Sequence, residues 1–194
     1  MLLDRLVKMS VRAEVERLLA DGTGELAAYN VYGEDNLRDS TFVPTPPYCY
    51  LVVSRIEPTP TQLPFIAVDL PDIGREPFEL GNRSGRQGPI ELSILGQSEG
   101  EATDLASYLA DSWVNSFVIT NYNEYAYRGY ASGSPMGYVE LTNMPRVRGP
   151  GELAEALILE GSLYHWQIVS FDYQAIIRDA IIRPLYPRPE LYPA

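Results

Sequence analysis

The chain has 194 residues, a formal net charge of −11 and 45% apolar residues, enough for one domain with a sizeable core and too apolar for wholesale disorder. This acidic balance disfavours general DNA or RNA binding, because attraction to a phosphate backbone depends on Lys and Arg displacing counterions. A single cysteine, Cys49, excludes an internal disulfide and a cysteine-cluster metal site, and no run of about 18 apolar residues is present to span a membrane.

The N-terminal stretch predicts a helix from Leu2 to Ala20, with Leu3, Leu6, Val7, Met9, Val11, Val15, Leu18 and Leu19 on an irregular apolar stripe. Gly22 and Gly24 end it. Its charges run throughout, unlike the apolar segment of a signal peptide, which fits a cytoplasmic site of synthesis. Tyr29 to Pro47 reads as a loop rich in Asn, Asp and Pro, with Tyr29–Tyr32 as a short extended piece. Tyr48 to Ile56 is apolar on both faces, as a strand covered from both sides should be. Phe65–Val68 is a second, short strand.

Asp69 to Gly88 carries Pro, Gly, Asn and Ser throughout and is expected to be a long loop or flap. Ile90, Leu92 and Ile94 then alternate with Glu91 and Ser93, a strand with one buried face. Gly96 turns the chain, and Ser98 with Glu101 forms an S-x-x-E capping box. Ala102, Leu105, Ala106, Leu109 and Trp113 recur on one face of the helix that follows. Its first turns hold Glu99, Glu101 and Asp104, where the helix dipole favours acids.

Phe117–Ile119 and Tyr138–Thr142 read as strands. Between them, residues 121–137 form a Tyr- and Gly-rich insert. Gly149-Pro150-Gly151 is a turn, and Glu152–Glu160 holds either one helical turn or a short strand. Leu163 to Ala175 is the longest strand, with Tyr164, Trp166 and Ile168 on one face. Residues 184–194 form a proline-rich arm that suits neither an internal strand nor a helix. The expected fold is therefore α+β: one domain over 1–183, a mainly antiparallel sheet, and an N-terminal and a second helix packed on one face.

Catalytic signatures are sparse. His165 is the single histidine, sits within a predicted strand and has no G-x-S-x-G motif nearby, so a structural role is the favoured reading. One His and one Cys make zinc a poor fit. The carboxylate pairs Asp69/Asp72, Glu99/Glu101 and Glu152/Glu155 could build a glycosidase or Mg²⁺ site, but acidic surface residues in an acidic chain explain them more simply. Gly81–Gly85 lacks the G-K-[ST] ending of a phosphate loop, so no cofactor is expected. Arg75, Arg83 and Arg86, like Arg146 and Arg148, read as solvated charges.

The segment FELGNRSGRQGPIELSILGQSEGEATDLASYLADSW, residues 78–113, resembles a pattern in small structural proteins of tailed bacteriophages. Its matching pieces are Glu79-Leu80-Gly81, the strand Pro89–Leu95, and Leu105-Ala106 with Leu109. The later Tyr164-His165-Trp166 is similar to the closing strand of tail-terminator and neck proteins. The resemblance implies a non-enzymatic virion protein forming a ring, commonly sixfold, between head and tail or capping the tail tube. Its partners would be further copies of itself and neighbouring neck, tail-tube or sheath proteins, with DNA passing through the channel unbound. The segments 69–88 and 121–137 depart from the pattern and leave terminator and stopper both open.

For such a ring the candidate subunit-interface residues are Arg83, Arg86, Tyr125, Tyr127, Tyr130, Tyr186 and Tyr192. Two alternatives belong to other classes. One is a tail-fibre or baseplate binding module that uses the tyrosines for ligand contact. The other is a carbohydrate-acting hydrolase with a carboxylate pair beside Tyr122, Tyr125, Tyr127 or Tyr130.

Overall fold

The computed structural model describes residues 2–22, 28–53, 58–70, 76–80, 83–113, 116–120, 135–149, 157–159 and 162–178. Helix α1 spans Leu2–Asp21. Val7, Val11, Val15, Leu18 and Leu19 form its buried face, and Gly22 closes it with a left-handed φ of 35°. Two carbonyls of its last turn find donors outside the helix: Tyr29 N donates to Leu19 O at 2.9 Å and Tyr108 Oη to Leu18 O at 2.8 Å. Glu14 is an acid on the buried side, and the Arg17 guanidinium compensates it at 2.7 and 3.1 Å.

Strand β1 (Asn30–Tyr32) runs parallel to β2 (Tyr48–Val52), and β2 runs parallel to β3 (Phe65–Asp69). Between β1 and β2 lies a short helix, α2 (Glu34–Arg38), where the sequence reads as loop. Its Gly33 amide donates to the Asn36 carboxamide at 3.2 Å, a local closure with no periodicity to announce it.

The stretch expected to be a flap is mostly paired sheet. Strand β4 (Glu76–Leu80) forms an antiparallel ladder with the first half of β5 (Arg83–Gly96). The turn-forming residues mislead because the ladder supplies what local propensity withholds. Strand β5 is held on its other side along its whole length by β10 (Ser162–Arg178). Gly88, with φ of 156°, takes up a backbone geometry there that L side chains avoid.

Helix α3 spans Glu99–Ser112. The Ser98 hydroxyl accepts from Glu101 N at 3.1 Å, while the Glu101 carboxylate accepts from Gln97 N at 2.7 Å, one residue before the expected partner. Gly96 is required for proximity: a Cβ there would stand 2.8 Å from Ala102 N and 3.1 Å from Ala102 Cβ. Strand β5 therefore runs straight into α3 with no room for a side chain at the corner.

After α3 come β6 (Ser116–Thr120), β7 (Pro135–Leu141), β8 (Arg146–Arg148) and β9 (Leu157–Leu159). The uncertain segment before β10 thus contains a strand. Among the described residues the sheet has ten strands in the order β1-β2-β3-β5-β10-β7-β6, with β4 on β5 and with β8 and β9 on β10. It is curled and mostly antiparallel, in keeping with α+β.

Alternation along the strands separates two cores. Ile66, Val68, Ile90, Leu92, Ile94, Val169, Phe171 and Tyr173 face α1 and α3, which share one side of the sheet as expected. Tyr50, Val52, Phe65 and Leu95 point the other way and are capped by Leu37 of α2. This second cover explains why β2 is apolar on both faces.

Candidate interaction surface

The face opposite α1 and α3 changes character along its width. At the β1–β2–β3 end it is aromatic. Tyr32 lies 4.8 Å from Phe42 and 6.0 Å from Tyr50, and Tyr48 lies 5.8 Å from Tyr50, by ring centroids. Helix α2 and the chain after it fold over this cluster. Tyr32 Oη accepts from Thr45 N at 3.2 Å, Asn30 Nδ2 donates to Thr45 O at 2.9 Å, and Gln62 Nε2 donates to Leu37 O at 2.9 Å.

An open groove of about 450 Å³ remains between them. Tyr50 and Leu37 line its depth, and Phe42, Val43, Pro44, Thr61 and Gln62 its walls. Val43 is 82% exposed. Burial, with Tyr48 and Tyr32 nearby, pushes the Tyr50 phenol up from its ordinary value, so it stays neutral. Asp39 at the rim accepts from the Thr41 hydroxyl at 2.6 Å and the Thr41 amide at 2.9 Å, which lowers its carboxyl below the usual range. Arg38 beside it is exposed.

At the β10–β7–β6 end the face is open and mixed. Val118 of β6 stands opposite Tyr138 of β7, and they are 55% and 38% exposed. Glu91 of β5 is joined to Arg148 of β8 by an ion pair. Arg83 and Arg86, expected on a loop, lie within β5, in register with Arg178 and Ala175 of β10. Tyr125, Tyr127, Tyr130, Tyr186 and Tyr192 fall outside the described residues, as do residues 121–134 of the insert and the whole arm 184–194.

His165 lies half-buried in β10, opposite Gly96. Of the carboxylates read as acidic surface residues, Asp69 binds Lys8 of α1 at 2.8 Å, Glu101 caps α3 and Glu99 is exposed. Asp72, Glu152 and Glu155 lie outside the described residues. Among the described residues no three His, Cys, Asp or Glu side chains are grouped to hold a metal, and no helix is long and apolar enough to cross a membrane. No family model and no curated protein matches the chain. The groove beside α2 is the feature that sequence reasoning missed, because its walls come from three short segments without periodicity.

Cys49 gives a direct check on the cover that α1 and α3 place over one face of β2. It is fully buried, and desolvation pushes its thiol well above the ordinary value. A thiol reagent should label it only through unfolding, at the global rate. The unfolded thiol ionises from about pH 8.5 while the folded one stays neutral, so its contribution to stability is full below that pH and lost above it. Rapid labelling of native protein at neutral pH would show that the cover opens.

Proposed function

We propose that the chain is a non-enzymatic structural subunit of a tailed-phage neck, forming a ring, sixfold favoured, that joins head to tail or caps the tail tube. The observation that carries this reading is the resemblance of residues 78–113, the unit on which the rest of the fold is laid. Its strand β5 lies between β3 or β4 on one side and β10 on the other, and its helix α3 packs on that same sheet. Two further features support it. A net charge of −11 keeps a channel wall from holding DNA phosphates. Val118 and Tyr138 place apolar surface on a sheet face that neither α1 nor α3 covers, as suits a subunit completed by its neighbours.

The test is cryo-electron microscopy of the virion that encodes the chain. A ring of this fold at the neck or on the end of the tail tube is expected. Density at the fibre tips, or absence of the protein from virions, would overturn the reading.

A further inference from the structure

The chain's most unusual composition and its open groove are chemically matched. Residues 184–190 read PLYPRPE, three prolines in seven residues with one cation and one anion. Such segments favour the polyproline II conformation, whose ordering cost is low, and bind in grooves floored by aromatic rings. The groove beside α2 has the half-buried ring of Phe42 packed over the buried Tyr50, exposed Val43 as an apolar lip, and Arg38 and Asp39 side by side at the rim. Arg188 and Glu190 complement that rim pair.

We propose that the groove beside α2 receives the segment Pro184–Glu190 of a second copy of this chain. The choice of a second copy follows from lengths. Tyr50 is in register with Phe65, Phe65 with Leu95, and Leu95 with Trp166, so the groove lies level with Trp166 of β10. Arg178 ends β10 twelve residues further on, roughly 40 Å along the strand. From Arg178 to Pro184 the chain can span at most about 20 Å. To bring Pro184 to its own groove, β5 and β10 would have to curl together far enough to halve that separation. A neighbouring copy imposes no such limit. Asp39 stays ionised into the acidic range because Thr41 stabilises its carboxylate, so its attraction for Arg188 persists there.

This inference deepens the ring reading by assigning one subunit contact. Its test is separate. A fluorescent peptide of residues 184–194 is titrated into the full-chain protein and followed by anisotropy. Saturable binding is expected. Val43→Glu and Asp39→Arg, both at exposed positions, should each weaken it at least about tenfold, the first by putting a charge on the apolar lip and the second by setting like charges against Arg188. A peptide carrying Arg188→Asp should recover binding to the Asp39→Arg protein, which a merely misfolded variant would not allow. No saturable binding, or equal binding to wild type and both variants, overturns the proposal. Peptide binding with no ring in the virion would remove the ring reading alone. A ring whose subunits ignore the peptide would remove this contact alone.

Discussion

Trp113→Ala should cost the fold about 3–5 kcal/mol, the range for emptying a buried large aromatic site. Trp113 follows the last turn of α3 and is 9% exposed. Its ring lies 4.8 Å from Phe171 of β10, tilted by 45°, and 6.0 Å from Phe117 of β6, edge-on at 78°. One side chain therefore joins a helix end to two separate strands, and its contact with Phe117 has the edge-to-face geometry that aromatic pairs prefer. Removing it leaves three elements with a shared cavity, and no single one can move in to fill it. Trp113→Phe keeps a ring against Phe171 and should recover most of the loss. It also removes an indole N–H that is buried without an acceptor among the described residues. Urea unfolding of the two variants decides the matter. A loss below about 1 kcal/mol for alanine would mean that this corner collapses easily.

The residues from Pro89 to Trp113 could be read in advance because every local signal there agrees with the tertiary result. Alternation placed Ile90, Leu92 and Ile94 inward, the Ser98 cap started α3, and the four apolar helix positions are all buried. Residues 76–88 were misread for a physical reason. Pro77, Gly85 and Gly88 disfavour an isolated strand, yet Pro77 is paired with Arg86 across the β4–β5 ladder, and Gly85 and Gly88 are paired with Ile176 and Tyr173 of β10. Pairing between β5 and β10 joins residues such as Gly85 and Ile176, a separation that no window along the sequence samples. Helix α2 was missed because five residues carry no period. The groove followed it out of view, since Leu37, Phe42, Tyr50 and Gln62 meet only after β2 pairs with β3. Of the seven expected interface residues, Arg83 and Arg86 were expected on a loop and lie instead in β5, because the ladder with β10 extends through them.

Leu105→Ala should cost about 2–5 kcal/mol, and the structure argues for the upper part of that range. The cost of a core truncation depends on whether the surroundings relax into the space. Leu105 is fully buried between α3 and the sheet, in one cluster with Leu109, Ile90, Leu92, Val169 and residues of α1. The sheet behind it is the β5–β10 ladder, paired over its full length and unable to shift a single strand. The helix itself is clamped at both ends. At its start, Ala102 N stands so close to Gly96 that no Cβ fits, and at its end Trp113 is wedged against Phe171 and Phe117. From the side, Tyr108 holds the α1 carbonyl of Leu18 at 2.8 Å. A helix pinned in this way cannot tilt to close a cavity, so both the transfer and the cavity contributions should appear in full. Leu105→Met, which preserves volume, should cost less than about 1.5 kcal/mol. Chemical unfolding of both variants gives the comparison. An alanine loss under about 2 kcal/mol with native secondary structure would mean that α3 does relax, and that its clamps at Gly96 and Trp113 are weaker than their distances imply.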